Sequence, residues 1–312
     1  MKKRVLSLFL SYLMLFTCIG TASAADVESD DFGSRQYKET HFQINLSDYN
    51  VNVLGNKMSL EAKAPMTISA DNTAAVNLDR LEEIFEKYPD VEENLIKNYQ
   101  SEGELLAVSF TEVPLVYVDG HYERVPASTR GFDSSAENGN GSFLMYTAVS
   151  GGVLPFGGKY QYTAKTYGSW ENSIWGGSDY PDTGEDYIFQ TSPNTFSRDS
   201  DGLSATYSPP ATTGVSGEDF WKENGDTSYV RYAIKDDPLG NRQLTNFTLT
   251  TVSAGPKSSN IRQIGSYYIH TWDDMSIDVS VAMSTDRSVT LTIDPENVAK
   301  SWQVYNYVSF TF

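Results

Sequence analysis

Residues 277–283, Ile-Asp-Val-Ser-Val-Ala-Met, together with 289–293, Val-Thr-Leu-Thr-Ile, and 302–312, Trp-Gln-Val-Tyr-Asn-Tyr-Val-Ser-Phe-Thr-Phe, decide the fold class. Successive Cβ atoms of a strand point to opposite faces, so Ile277, Val279, Val281 and Met283 share one face while Asp278 and Ser280 share the other. Val289, Leu291 and Ile293 repeat the arrangement, and Trp302, Val304, Val308, Phe310 and Phe312 line one face of the last strand. Side chains that are greasy on one side only belong to half-buried strands, and burying one such Val, Leu or Phe contributes roughly 1.5–3 kcal/mol.

The same period of two recurs upstream. Tyr160, Tyr162, Ala164 and Thr166 alternate with polar neighbours, as do Tyr229 to Ile234, Phe247 and Leu249, and Tyr268, His270 and Trp272. Nearer the start, Phe42, Ile44 and Leu46, then Val51 and Val53, then Met66 and Ile68 read the same way. Glu104–Phe110 and Val113–Val118 form two further runs. Asp119-Gly120 is a two-residue hairpin turn, which sets Val118 opposite His121 and Tyr117 opposite Tyr122.

Helical spacing is confined to one region. Leu78, Leu81, Ile84, Phe85 and Tyr88 recur at three and four, with Asn77 as the expected cap, until Pro89 interrupts them. Proline suits a first helical turn, and Asp90, Glu92 and Glu93 complement the positive end of the helix dipole. A second helix with Val91, Leu95, Ile96 and Tyr99 on its apolar stripe should therefore run to Gly103. The expected architecture is mainly β: an antiparallel β-sandwich in the C-terminal part, preceded by a smaller α+β segment with two short helices.

Composition divides the chain further. Lys2, Lys3 and Arg4, the apolar Val5 to Ile19 and the small residues Ala22-Ser23-Ala24 make residues 1–24 a secretory signal peptide. Residues 25–40 read as a flexible acidic leader, 41–125 as the α+β segment, 126–142 as a linker or loop, and 143–312 as the β-sandwich domain. Cys18, the only cysteine, lies inside the signal, so the processed chain has no disulfide even in an oxidising destination. No later stretch is apolar enough for a transmembrane helix. Without the three basic residues of the signal, 20 of the 23 basic residues remain against 41 acidic ones, a formal charge of −21. That balance speaks against nucleic acid, which needs clustered Lys and Arg. The expected destination is extracellular, at or near a cell surface.

Candidate chemistry is sparse. The three histidines, His41, His121 and His270, belong to no zinc-protease motif or nucleophile elbow. Tyr167 to Tyr187 combines Trp170, Trp175, Tyr180 and Tyr187 with glycines and acids, a composition suited to recognising an extracellular glycan or protein, or to covering the end of a core. Asp199-Ser200-Asp201-Gly202 has the oxygens and glycine of a calcium loop, making Asp199 and Asp201 candidate Ca2+ ligands. Ser197 and Ser208 stand where that pattern requires an acid and a bidentate glutamate, and no other cofactor is implied. Glu171, Glu185 and Asp186 are the first acids to weigh for a carboxylate-dependent polysaccharide hydrolase, but no pair among 41 acids stands out as catalytic.

The leading reading is a secreted, non-enzymatic binding protein. A hydrolase is the alternative, and a secreted toxin or bacteriocin is a further one. The last nine residues, with Val304, Val308 and Phe310 alternating before Phe312, resemble the terminal strand of outer-membrane barrels. That resemblance implies a membrane barrel, which the two-helix segment and the short strands oppose.

Overall fold

Pro89 splits the helical region as its chemistry requires. Helix α1 spans Thr73–Lys87 and helix α2 spans Pro89–Ser101, with the proline in the first turn beside Asp90 and Glu92. Gly103 follows with φ of +93°, a left-handed conformation that ends α2 and that glycine adopts without strain. The expected cap is corrected: α1 starts at Thr73, so Asn77 lies within it, and its side-chain amide donates to the Gln43 carbonyl at 3.1 Å. The computed structural model describes residues 37–63, 73–118, 121–129, 141–153, 159–171, 185–191, 197–208, 220–225, 229–235, 243–256, 261–272, 279–283, 289–293 and 301–311.

The strands form an antiparallel β-sandwich. One sheet takes β1 (Thr40–Asn45), β4 (Glu104–Val118), β6 (Gly141–Val153), β7 (Lys159–Trp170), β12 (Gln243–Pro256) and β9 (Ser197–Ser208) in that spatial order. Strand β5 (His121–Arg124) pairs with β4 beyond β1, making seven. The second sheet orders β10 (Phe220–Gly225), β11 (Tyr229–Lys235), β8 (Glu185–Thr191), β13 (Arg262–Thr271) and β16 (Ser301–Phe310). Two hairpins stand apart as sheets of their own, β2 (Tyr49–Leu54) with β3 (Lys57–Ala62) and β14 (Val279–Met283) with β15 (Val289–Ile293).

Several registers agree with the sequence pattern. Val118 pairs with His121 and Tyr117 with Tyr122, and Val279, Val281 and Met283 pair with Ile293, Leu291 and Val289. The two runs expected around residues 104–118 are one strand. Pro114, which has no N–H to give, sits where β1 has ended at Glu112 and β5 begins at Leu115. Strand β4 also pairs along its length with β6, so residues on both sides of the 126–142 stretch build the same sheet. Tyr37 bridges to Pro126, and the Lys38 N–H donates to the Val125 carbonyl. The last strand pairs with β13 at the edge of the five-stranded sheet, and its barrel-like pattern serves the sandwich: Trp302, Val304, Val308 and Phe310 are buried.

The seven-stranded sheet is covered on both faces. Helices α1 and α2 pack Leu81, Ile84, Val91, Leu95 and Ile96 against Val108, Phe110, Leu144 and Tyr146 on one face. The other face meets the five-stranded sheet in two apolar clusters. One, rich in rings, includes Phe143, Trp170, Phe247, Tyr268 and Trp302; the other is mostly aliphatic, with Leu106, Val149, Ala164, Ile264 and Val308. Between them lies a belt of wholly buried polar side chains. Ser109 donates to the Asn306 carbonyl oxygen at 2.6 Å, and the Asn306 amide donates to Thr111 at 3.1 Å. Thr147, Thr166 and Ser266 share hydroxyl bonds, the Gln190 amide donates to Thr166 at 2.7 Å, and Thr251 donates to the Gln190 carbonyl oxygen.

Each open flank of the sandwich is closed by polar side chains. On one, Gln43 of β1 mimics a strand for the edge of β16, donating to the Ser309 carbonyl at 2.7 Å and accepting its N–H at 2.8 Å. Arg124 donates to the Gln303 carbonyl and pairs with Glu39, both at 2.6 Å. Such contacts occupy the backbone groups through which an edge strand would recruit another chain.

Candidate recognition site

Strand polarity gathers the long connections at one end. Because Trp170 closes β7 beside the start of β12, and Thr271 closes β13 opposite Ser301, residues 171–184, 209–219, 236–242, 272–278 and 294–300 all leave from or return to this end. At the far end the other sandwich strands are joined by the shorter stretches 154–158, 192–196, 226–228 and 257–261, and the β1-to-β4 connection, which holds the β2–β3 hairpin and both helices, also leaves from there. Long connections on a rigid scaffold are where binding residues concentrate.

Beneath these connections the ring-rich cluster closes around a buried acid and imidazole. Asp186, at the start of β8, is wholly buried, and His270, near the end of β13, is 1% exposed. His270 Nδ1 lies 3.0 Å from Asp186 Oδ1, the same oxygen accepts the Thr271 N–H at 3.0 Å, and the Tyr268 hydroxyl donates to Oδ2. A buried carboxylate is tolerated when its lone pairs are filled in this way. The His270 ring packs against both Trp170 and Trp302, with centroids 5.0 Å from each. The Trp302 indole N–H donates to the Tyr122 carbonyl at 2.9 Å, tying β16 to β5. The arrangement braces the ends of three strands.

Above the brace the rings come partly into solvent. His121 stacks on Trp272 with centroids 4.2 Å apart and planes 15° apart, and its Nε2 lies 2.9 Å from Glu123. On the other face of the β4–β5 hairpin, Tyr117, 37% exposed, tilts against Tyr122 at 5.0 Å. This rim offers flat apolar faces beside an imidazole and a carboxylate, which can stack on a sugar or side chain and fix it by hydrogen bonds.

The residues singled out in the sequence are distributed unevenly. Trp170 points into the core between the sheets, whereas Tyr187 lies on the opposite face of the five-stranded sheet, 1% exposed, with the Arg231 guanidinium 4.8 Å from its ring centre. The structure does not bring these two together, and Trp175 and Tyr180 lie outside the described residues. The chain reverses face at each step, so Glu171 turns away from Trp170, accepts a bond from Ser142 at 2.8 Å and lies 3.5 Å from Lys87. Lys87 also pairs with Glu112 at 2.8 Å. Tyr88 completes this group: its hydroxyl, 2.6 Å from Ser142, is held protonated by burial first and by the Glu112 charge next. Glu185 accepts from Tyr187. The three acids thus hold separate partners rather than facing one another across a cleft.

Asp201 has a clear structural position. Its carboxylate on β9 receives Lys222 of β10 at 2.8 Å and Tyr232 of β11 at 2.6 Å, and Arg198 Nε stands 3.2 Å away. It clasps the second flank of the sandwich. Burial alone would raise its pKa, but the bonds from Lys222 and Tyr232 and the charges of Lys222 and Arg198 outweigh burial and hold it below the usual value. Asp199 is exposed on the same strand, and among the described residues no group of three or more His, Cys, Asp or Glu is placed to hold a metal ion.

Sequence reasoning did not single out His121, Trp272 or the Asp186–His270 pair as a site. The shared face of His270 and Trp272 was visible in their spacing. The acid that fills His270 is 84 residues away, where no spacing rule reaches.

No family model matches the chain, and no curated protein matches it. Among solved structures, domains D2 and D3 of the major pilin SpaD from Corynebacterium diphtheriae are 12% identical, with a TM-score of 0.26. The match covers 47% of this chain and 46% of that one, so this chain spans less than half of the pilin structure. The collagen-binding domain of a Staphylococcus aureus adhesin is 8% identical over 50% of this chain and 93% of that one, at 0.24. Clostridium perfringens delta-toxin is 9% identical over 64% and 93%, at 0.28. At such TM-scores these likenesses establish neither a common fold nor a common function.

Proposed function

We propose that the protein is exported and binds an extracellular glycan or protein through the aromatic end of its sandwich. The observation that carries this reading is the joint placement of the long connections and the partly exposed His121–Trp272 stack over a braced core. A rim held by Asp186, His270 and Trp302 loses little freedom on binding, which favours affinity. The secretory signal at 1–24 and the acidic composition suit a dispersed extracellular chain.

The test is retention of the purified mature chain on isolated cell-wall polysaccharide and on an array of extracellular glycans and matrix proteins. Trp272→Ala and Trp175→Ala should each reduce retention about tenfold, the size of a lost aromatic contact. Unchanged retention in both variants, with melting temperatures kept, would remove the aromatic end from consideration.

A further inference from the structure

At the far end, on the helix side, the β2–β3 hairpin and the turn from α2 into β4 enclose an open groove of about 700 Å3. Tyr49, Asn50, Asn52, Glu61, Tyr99 and Glu104 contribute to its lining. Asn50, Asn52, Glu61 and Glu104 are exposed, their backbones held in strand pairs. Tyr99 shows 37% of its surface. The volume lies in the range of small-molecule sites, and flat amides and carboxylates beside tyrosine rings match the alternating hydroxyls and C–H faces of a sugar.

The groove is held in shape before any ligand arrives. Glu92 of α2 accepts the Met58 N–H at 2.8 Å and Lys57 at 3.1 Å, pinning the hairpin to the helix. The opposite wall turns at Gly103, where an added Cβ would lie 2.8 Å from the Gly151 carbonyl oxygen. Charge narrows the ligand. The lining sets two acids, Glu61 and Glu104, against one cation, Lys63, whose ammonium donates to the Ser47 carbonyl at 2.9 Å, so the groove is acidic on balance within a chain of net charge −18. An acidic sugar would meet repulsion there, and an amino group would meet attraction.

We infer that this groove binds a short saccharide of neutral or amino-bearing type, independently of the aromatic end. The experiment is an NMR titration of the full mature chain with chitobiose, its deacetylated diamine and a hexuronate disaccharide. The first two should give saturable shifts in groove residues at millimolar concentration, the diamine binding more tightly, and the hexuronate should give none. Tyr99→Ala, compared at a temperature where both chains remain folded, should weaken both about tenfold. Glu61→Gln with Glu104→Gln should abolish the preference for the diamine. No saturable shift up to about 20 mM, tight binding of the hexuronate, or binding lost in Trp272→Ala but kept in Tyr99→Ala would overturn the inference. The last outcome would assign saccharide binding to the aromatic end, whereas loss in Tyr99→Ala alone leaves that end to be judged on its own ligand.

Discussion

The two halves of the core between the sheets differ in what fills them. The half under the long connections is built from Phe143, Trp170, Phe247, Tyr268 and Trp302 around a buried acid and imidazole; the far half uses Leu106, Ala107, Val149, Ala164, Ile264 and Val308 with Tyr162 and Phe310. Aliphatic side chains suffice at the end where the stretches that join the two sheets, 192–196 and 257–261, are short. Large rings with fixed edge-to-face contacts, and a buried carboxyl–imidazole hydrogen bond that tolerates one arrangement only, specify positions more tightly. The half that must hold long connections and a defined rim is the half built that way. The belt of Ser109, Thr147, Thr166, Gln190 and Asn306 separates the two, and each bond across it fixes one sheet's register against the other.

The largest effects should fall on the ring-rich half. Asp186→Ala leaves His270, Tyr268 and the Thr271 N–H facing a buried void and should cost about 3–5 kcal/mol in urea unfolding. Ile264→Val in the far half should cost about 1 kcal/mol. Comparable losses would erase the contrast.

Smaller effects sharpen it. Asn306→Leu strands the Ser109 hydroxyl and should cost about 1–3 kcal/mol, while adding Ser109→Ala should recover part of that, because a missing pair is cheaper than a half-satisfied one. Acid should act on the flanks. His41 stacks on Tyr307 and bonds Thr111 through Nδ1, and burial lowers its pKa to about 4. The unfolded chain binds that proton from pH 6.5 downward and the folded chain does not, so stability is full above 6.5 and declines towards pH 4. The decline should be about 2 kcal/mol once the solvent reaching the ring is allowed for. His41→Gln should flatten it. Asp201, held below its ordinary 3.8, adds a second loss only as pH falls under that value. Asp201→Asn should cost about 1 kcal/mol at neutral pH, since Lys222 is 40% exposed and water replaces part of the bond.

Much of the fold was legible because it rests on local rules. The Asp119-Gly120 register, the alternating apolar residues of β14 and β15 as strands, and the helix start at Pro89 each follow from neighbours in sequence. The site was less legible because its contacts are remote. Trp170 and Tyr187 belong to one aromatic stretch yet face different layers, since that depends on which strands they join and with what parity. Asp201 resembled a calcium ligand because the sequence shows its oxygens but not Lys222 and Tyr232, which arrive from another sheet. Asn77 resembled a cap because the apolar pattern of α1 starts one residue later, while the helix itself starts four residues earlier.

The most direct test is end against end. Retention of the mature chain on cell-wall polysaccharide and matrix-protein arrays should be measured for Trp272→Ala at the rim and for Ile261→Ala, a 65% exposed position at the far end. Loss in the first with retention in the second is the expected result; equal retention in both folded variants would contradict a recognition surface at the aromatic end.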